Sequence, residues 1–87
     1  ADYDQADYFL VPLLDGQFGV GQIFALPTGE ETSPFCGLTD RRIPRTATVA
    51  PFASSEVIAL VRVNPAALVS DQWPKAGFDQ IPRFPPR

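Results

Sequence analysis

Apolar residues alternate or cluster in short runs along this chain, and each run is closed by a turn signal rather than by a helical repeat. Asp7-Tyr8-Phe9-Leu10-Val11-Pro12-Leu13-Leu14 ends at Asp15-Gly16. A second run, Gln17 to Leu26, follows at once. Asp-Gly between two β-prone runs is the strongest short-range hairpin signal, and the spacing predicts a type I′ turn with positive φ at both central residues. In the second strand Phe18, Val20, Gln22 and Phe24 share one face, while Gly19, Gly21, Ile23 and Ala25 share the other. Glycines 19 and 21 leave that second face bare where a bend or another backbone must come close. Pro12 cannot donate to a sheet ladder, which points the first strand to an edge or a bulge.

Residues 28–46 read as a long irregular excursion, with Pro34, Gly37 and Pro44 as breakers, and a short strand is expected over Thr46–Phe52. The nearly continuous apolar run Glu56–Val63 predicts a strand at the centre of the sheet. Asn64-Pro65 predicts one helical turn over Ala66–Val69, with Asn64 as N-cap and Pro65 at the first helical position. The resulting fold class is all-β or β-dominated. It is a small curled antiparallel sheet or an open SH3-like barrel of four to six strands, with at most one short helix. Phe9, Val11, Phe18, Val20, Ile23, Phe24, Val57, Ile58, Leu60, Val61, Val63, Leu68 and Trp73 are the expected core.

With 87 residues the chain holds one domain, spanning 1–87, with residues 1–6 as a flexible lead-in. The proline-rich finish, with no closing strand in view, predicts that the domain continues beyond residue 87. Ten prolines rule out long helices, and the 45% hydrophobic content is too high for intrinsic disorder. Residues 1–31 carry six acidic side chains and no basic one, whereas residues 32–87 carry seven basic and four acidic. If that asymmetry survives folding, the molecule is a dipole able to steer a charged partner.

The chain contains no histidine and one cysteine. Ser-His-Asp and Cys-His catalysis and a structural zinc site are therefore closed to it, and no glycine-rich loop opens a helix to cradle phosphate. We expect no catalytic residues, no metal and no cofactor. Cys36 between Phe35 and Leu38 reads as a small buried hydrophobe. A single cysteine gives no internal disulfide, which suits a reducing compartment such as the bacterial cytoplasm. The longest apolar run is too short to span a bilayer. Arg41, Arg42 and Arg45 form the one basic cluster. Lacking interleaved aromatics in an acidic chain, it favours a solvated loop or an acidic partner over nucleic acid. Phe84-Pro85-Pro86-Arg87 has the look of a polyproline ligand, but a tail packed on Trp73 is the simpler expectation.

Two stretches resemble a bacterial family of small immunity proteins from polymorphic toxin systems, the family numbered twenty-six. Residues 7–23 follow its opening, which has Gly-Asp, apolar residues, Pro-Leu, an Asp-Gly turn, an aromatic and a glycine-bearing strand. Ala6 stands where the family has glycine. Ser70-Asp71-Gln72-Trp73-Pro74-Lys75-Ala76-Gly77, followed by Ile81-Pro82 and Phe84-Pro85, is similar to its Trp-Pro ending. The resemblance implies a non-catalytic protein that neutralises a cognate toxin by binding it. The expected contact residues are Asp2, Asp4, Glu30, Glu31, Arg41 and Arg42. Two other classes stay open: a small-barrel nucleic-acid-binding module, and a structural or regulatory subunit of a larger complex. The oligomeric state is open as well.

Overall fold

The computed structural model describes residues 3–70 and 72–84. Five antiparallel strands, β1 (Asp7–Pro12), β2 (Phe18–Ala25), β3 (Phe35–Ile43), β4 (Val57–Arg62) and β5 (Lys75–Phe78), form one open sheet in the order β4-β3-β2-β1-β5. A 3-10 turn at Ser54–Glu56 leads into β4, and a short helix, α1 (Pro65–Val69), follows it. The fold is thus β-dominated with one short helix, and the sheet does not close into a barrel.

The hairpin forms as expected but with a different turn. The Leu13 N–H donates to the Gln17 carbonyl at 2.9 Å and the Gly16 N–H to the Leu13 carbonyl at 3.2 Å. Gly16 alone takes a positive φ, +83°. This is a three-residue loop, a β-turn over Leu14-Asp15 followed by a left-handed glycine. It spares Asp15 the steric cost that a type I′ turn would impose on it.

The region expected to be an irregular excursion contains β3, nine residues long. Its apparent breakers have other roles. Pro34 lies just outside the strand and only accepts, from the Val63 N–H at 3.1 Å. Gly37 lies under the Phe24 ring, where any Cβ would overlap it. The segment 46–52 is not a strand but irregular chain that buries Val49 and Phe52 against the sheet.

β4 lies at an edge of the sheet, not at its centre. Its residues alternate half-buried and exposed, leaving Ile58 64% and Leu60 52% exposed, so two expected core positions face solvent. A continuous apolar run was a misleading guide, because only one side of β4 is covered. The central strand is the glycine-bearing β2. Phe9 pairs with Gly21 across β1 and β2, and its ring fills the space a side chain would need. The bare face is filled by a ring rather than by a backbone. β1 is interior, and Pro12 is tolerated as its last residue, beyond the reach of β5.

The core lies on both faces. Tyr8, Leu10, Val20, Phe24, Val49 and Phe52 form one cluster; Phe9, Ile23, Cys36, Val63 and Leu68 form the other. The second is closed by α1 and by Trp73, which stacks on Phe9 with centroids 5.7 Å apart and planes 10° from parallel. As expected, the Asn64 side chain caps α1 by accepting from the Ala66 N–H at 2.9 Å. Phe84 meets Phe24 edge-on on the first face rather than packing on Trp73, and the rest of the expected tail, residues 85–87, lies outside the described residues. From Tyr3 onward the N-terminal lead-in is tied down. Tyr3 packs on the second cluster, Gln5 Nε2 donates to the Phe24 carbonyl and the Ala6 N–H to the Ile23 carbonyl. Asp2 and the expected continuation past residue 87 lie outside the described residues.

Candidate binding surfaces

The strand register separates the residues expected to share a binding site. Asp4, Glu30 and Glu31 sit at the end of the sheet where β1 starts and β2 finishes. Arg41 and Arg42 sit near the opposite end of β3, beside the hairpin tip. The six steps of strand from Phe35 to Arg41 span about 20 Å. The five thus form two groups at opposite ends of the sheet rather than one cluster.

Several are also committed inside the molecule. Arg41 binds both carboxylate oxygens of Glu56, at 2.8 and 3.0 Å, and donates to the carbonyls of Ala50 and Pro51. Its guanidinium lies 5.4 Å over the Phe52 ring. This side chain clamps the segment 50–56 onto the sheet. Arg42 pairs with Asp15 at 2.6 Å, and Glu31 with Arg62. The Asp4 N–H donates to Asp7 Oδ2, while Asp4 Oδ1 accepts from the Gln5 N–H, both at 2.8 Å. Glu30 is exposed at the β2–β3 turn.

A different pair of cations lacks such commitments. Arg45 and Lys75 line a cleft of about 330 Å³ with Leu10, Ala47, Thr48, Pro74 and Ala76. Neither has a carboxylate partner among the described residues. Arg45 rests 5.9 Å over the Phe18 ring, which holds its charge at the cleft mouth. Leu10, Ala47, Pro74 and Ala76 give the cleft apolar walls. A group that fills it combines a negative charge with an apolar stem, as an acidic side chain does. Arg45 was visible in the basic cluster. Lys75 was not, because nothing in the sequence reveals that β5 returns to lie beside β1.

Chemistry elsewhere is muted. The Cys36 thiol is fully buried and its pKa is pushed up to about 12 by that burial, so it stays protonated. Burial also raises the Tyr8 phenol, with the Asp79 charge adding to the effect and Arg41 opposing it. Among the described residues no cluster of metal-ligating side chains is present. None of their helices is long and apolar enough to cross a membrane. No family model, no curated protein and no solved structure matches the chain.

Proposed function

We propose that this chain is a non-catalytic protein-binding domain of the immunity type, acting in the bacterial cytoplasm to neutralise a cognate toxin. The Arg45–Lys75 cleft carries the reading: two cations with no carboxylate partner among the described residues, set over apolar walls, suit an acidic side chain of a partner protein. The resemblance adds to it. The two stretches that resemble the immunity family lie against one another, through the Phe9–Trp73 stack and the Leu10 N–H donating to the Pro74 carbonyl at 2.8 Å. Ala6, where the family has glycine, takes a φ of +76°, a conformation that favours glycine.

The test is growth protection. Co-expression with the toxin encoded beside this chain should rescue growth, and Arg45→Glu with Lys75→Glu should abolish rescue while Glu30→Gln leaves it intact. No rescue by the unaltered chain defeats the immunity reading. Rescue that survives both charge reversals removes the cleft from it. A nucleic-acid role would instead show as oligonucleotide binding that weakens steeply with salt.

A further inference from the structure

The two edges of the sheet are built differently. β5 is four residues long, carries Lys75, has Gly77 at a φ of +95° and pairs with β1 through a register shift. Those are the devices that keep an edge from recruiting another strand. β4 shares the register shift, which falls at Ile58 in its pairing with β3, but it carries no lysine and no proline, and Ile58 and Leu60 are largely exposed.

Its open backbone groups can be assigned. The Val63 N–H donates to the Pro34 carbonyl, and the same register places Val61 opposite Cys36 and Ala59 opposite Leu38. Antiparallel ladders alternate, so the odd-numbered residues turn their N–H and C=O toward β3. The groups of Leu60 and Arg62 therefore face outward, while Ile58 sits at the register shift between Ala59 and Val57.

We propose that this edge binds the β4 edge of a second copy of the chain, antiparallel about a two-fold axis at Ala59, giving a continuous ten-stranded sheet. The sequence around Ala59 is a palindrome in character: Val57 and Val61, Ile58 and Leu60, then Glu56 and Arg62 with opposite charges. The register centred on Ala59 places Ile58 against Leu60 of the second copy. It also sets Glu56 against the second copy's Arg62. Glu56 already holds Arg41, and Arg62 already holds Glu31. Pairing then lines up Arg41, Glu56, Arg62 and Glu31 across the two-fold as a row of alternating sign. Centring on Leu60 instead would set Ile58 against Arg62 and lose both matches.

Sedimentation of the full chain should show a concentration-dependent dimer. Ile58→Lys with Leu60→Lys alters only exposed side chains, and should weaken the dimer at least tenfold while leaving the thermal melt within a few degrees. Ala59→Cys should oxidise to a covalent dimer, since directly opposed residues at a non-hydrogen-bonded pair sit about 4.5 Å apart at Cα. It should do so at least ten times faster than Leu60→Cys or the exposed control Thr32→Cys. A chain that stays monomeric at about 1 mM overturns the proposal. So does a dimer that survives the lysine pair, or faster cross-linking of Leu60→Cys. No cleft residue lies on this edge, so these outcomes are read separately from toxin protection.

Discussion

On the face of Phe9 and Ile23 the sheet is covered by a helix and one indole; on the face of Tyr8 and Phe24 it is covered by irregular chain. A helix hydrogen-bonds its own backbone, so its apolar side can lie on a sheet without polar help. Phe9, Ile23, Cys36 and Leu68 are accordingly sealed completely. Irregular chain brings carbonyls with no ladder to join, and side chains from the sheet must meet them. Gln22 Nε2 donates to the carbonyls of Ala6 and Asp79, and Arg41 to those of Ala50 and Pro51. What looks like polar chemistry on the first face is largely the fastening of its cover.

The sharpest test of that contrast is one phenylalanine on each face. Phe9→Ala should cost about 4 kcal/mol in urea unfolding, because its cavity lies between a sheet and a stacked indole that cannot collapse. Phe52→Ala should fall near the lower end, about 3 kcal/mol, since the 46–52 segment above it can settle. Equal losses would mean that the irregular cover is as rigid as the helical one. Next, Gln22→Leu should cost about 2 kcal/mol by stranding two carbonyls. Tyr8→Phe, on the same face, should change stability by less than about 0.5 kcal/mol, because the Tyr8 hydroxyl has no hydrogen-bond partner among the described residues. A large loss for Tyr8→Phe would show that the hydroxyl, too, is a fastening.

The same contrast sorts what could be read from the sequence. Patterns that depend on neighbours in the chain were legible: the Asp-Gly hairpin, the Asn64 cap, the burial of Cys36. Patterns that depend on who lies alongside were not. Glu56–Val63 is as apolar as a central strand, yet its position depends on whether anything covers its far side. Pro34, Gly37 and the charged Asp40-Arg41-Arg42 disguised β3, because a proline accepting from Val63 and a glycine beneath Phe24 look in sequence like breakers. The residues of the proposed cleft were hidden for the same reason. Of the arginine cluster, Arg41 and Arg42 are occupied by Glu56 and Asp15, and Arg45, which has no carboxylate partner among the described residues, shares its cleft with Lys75 from thirty residues on.

Ala6 tests the junction between the faces at a smaller scale. A non-glycine residue in the left-handed region costs about 1 kcal/mol, so Ala6→Gly should stabilise the fold by roughly that amount in the same unfolding assay. No gain would mean that the lead-in from Tyr3 to Ala6 opens before the sheet does, and that the strain never reaches the unfolding transition.

The smallest effect asks whether the Arg41 fastening works by charge or by shape. Glu56 is held below the usual carboxylate range first by the Ala53 N–H, which donates to Oε1 at 3.0 Å, and then by Arg41. A carboxylate whose pKa is lower in the folded chain than in the unfolded one stabilises the fold fully above the unfolded value, about 4.3. That contribution drains away as pH falls through the lowered folded value. Glu56→Gln keeps an acceptor for Ala53 but removes the charge. Its melt should fall slightly below that of the unaltered chain above about pH 5 and converge with it in stronger acid. A gap of constant width from neutrality into acid would mean that the bidentate geometry, rather than the ionised carboxylate, holds segment 50–56 down. The covering of the first face would then be a matter of fit, as that of the second already is.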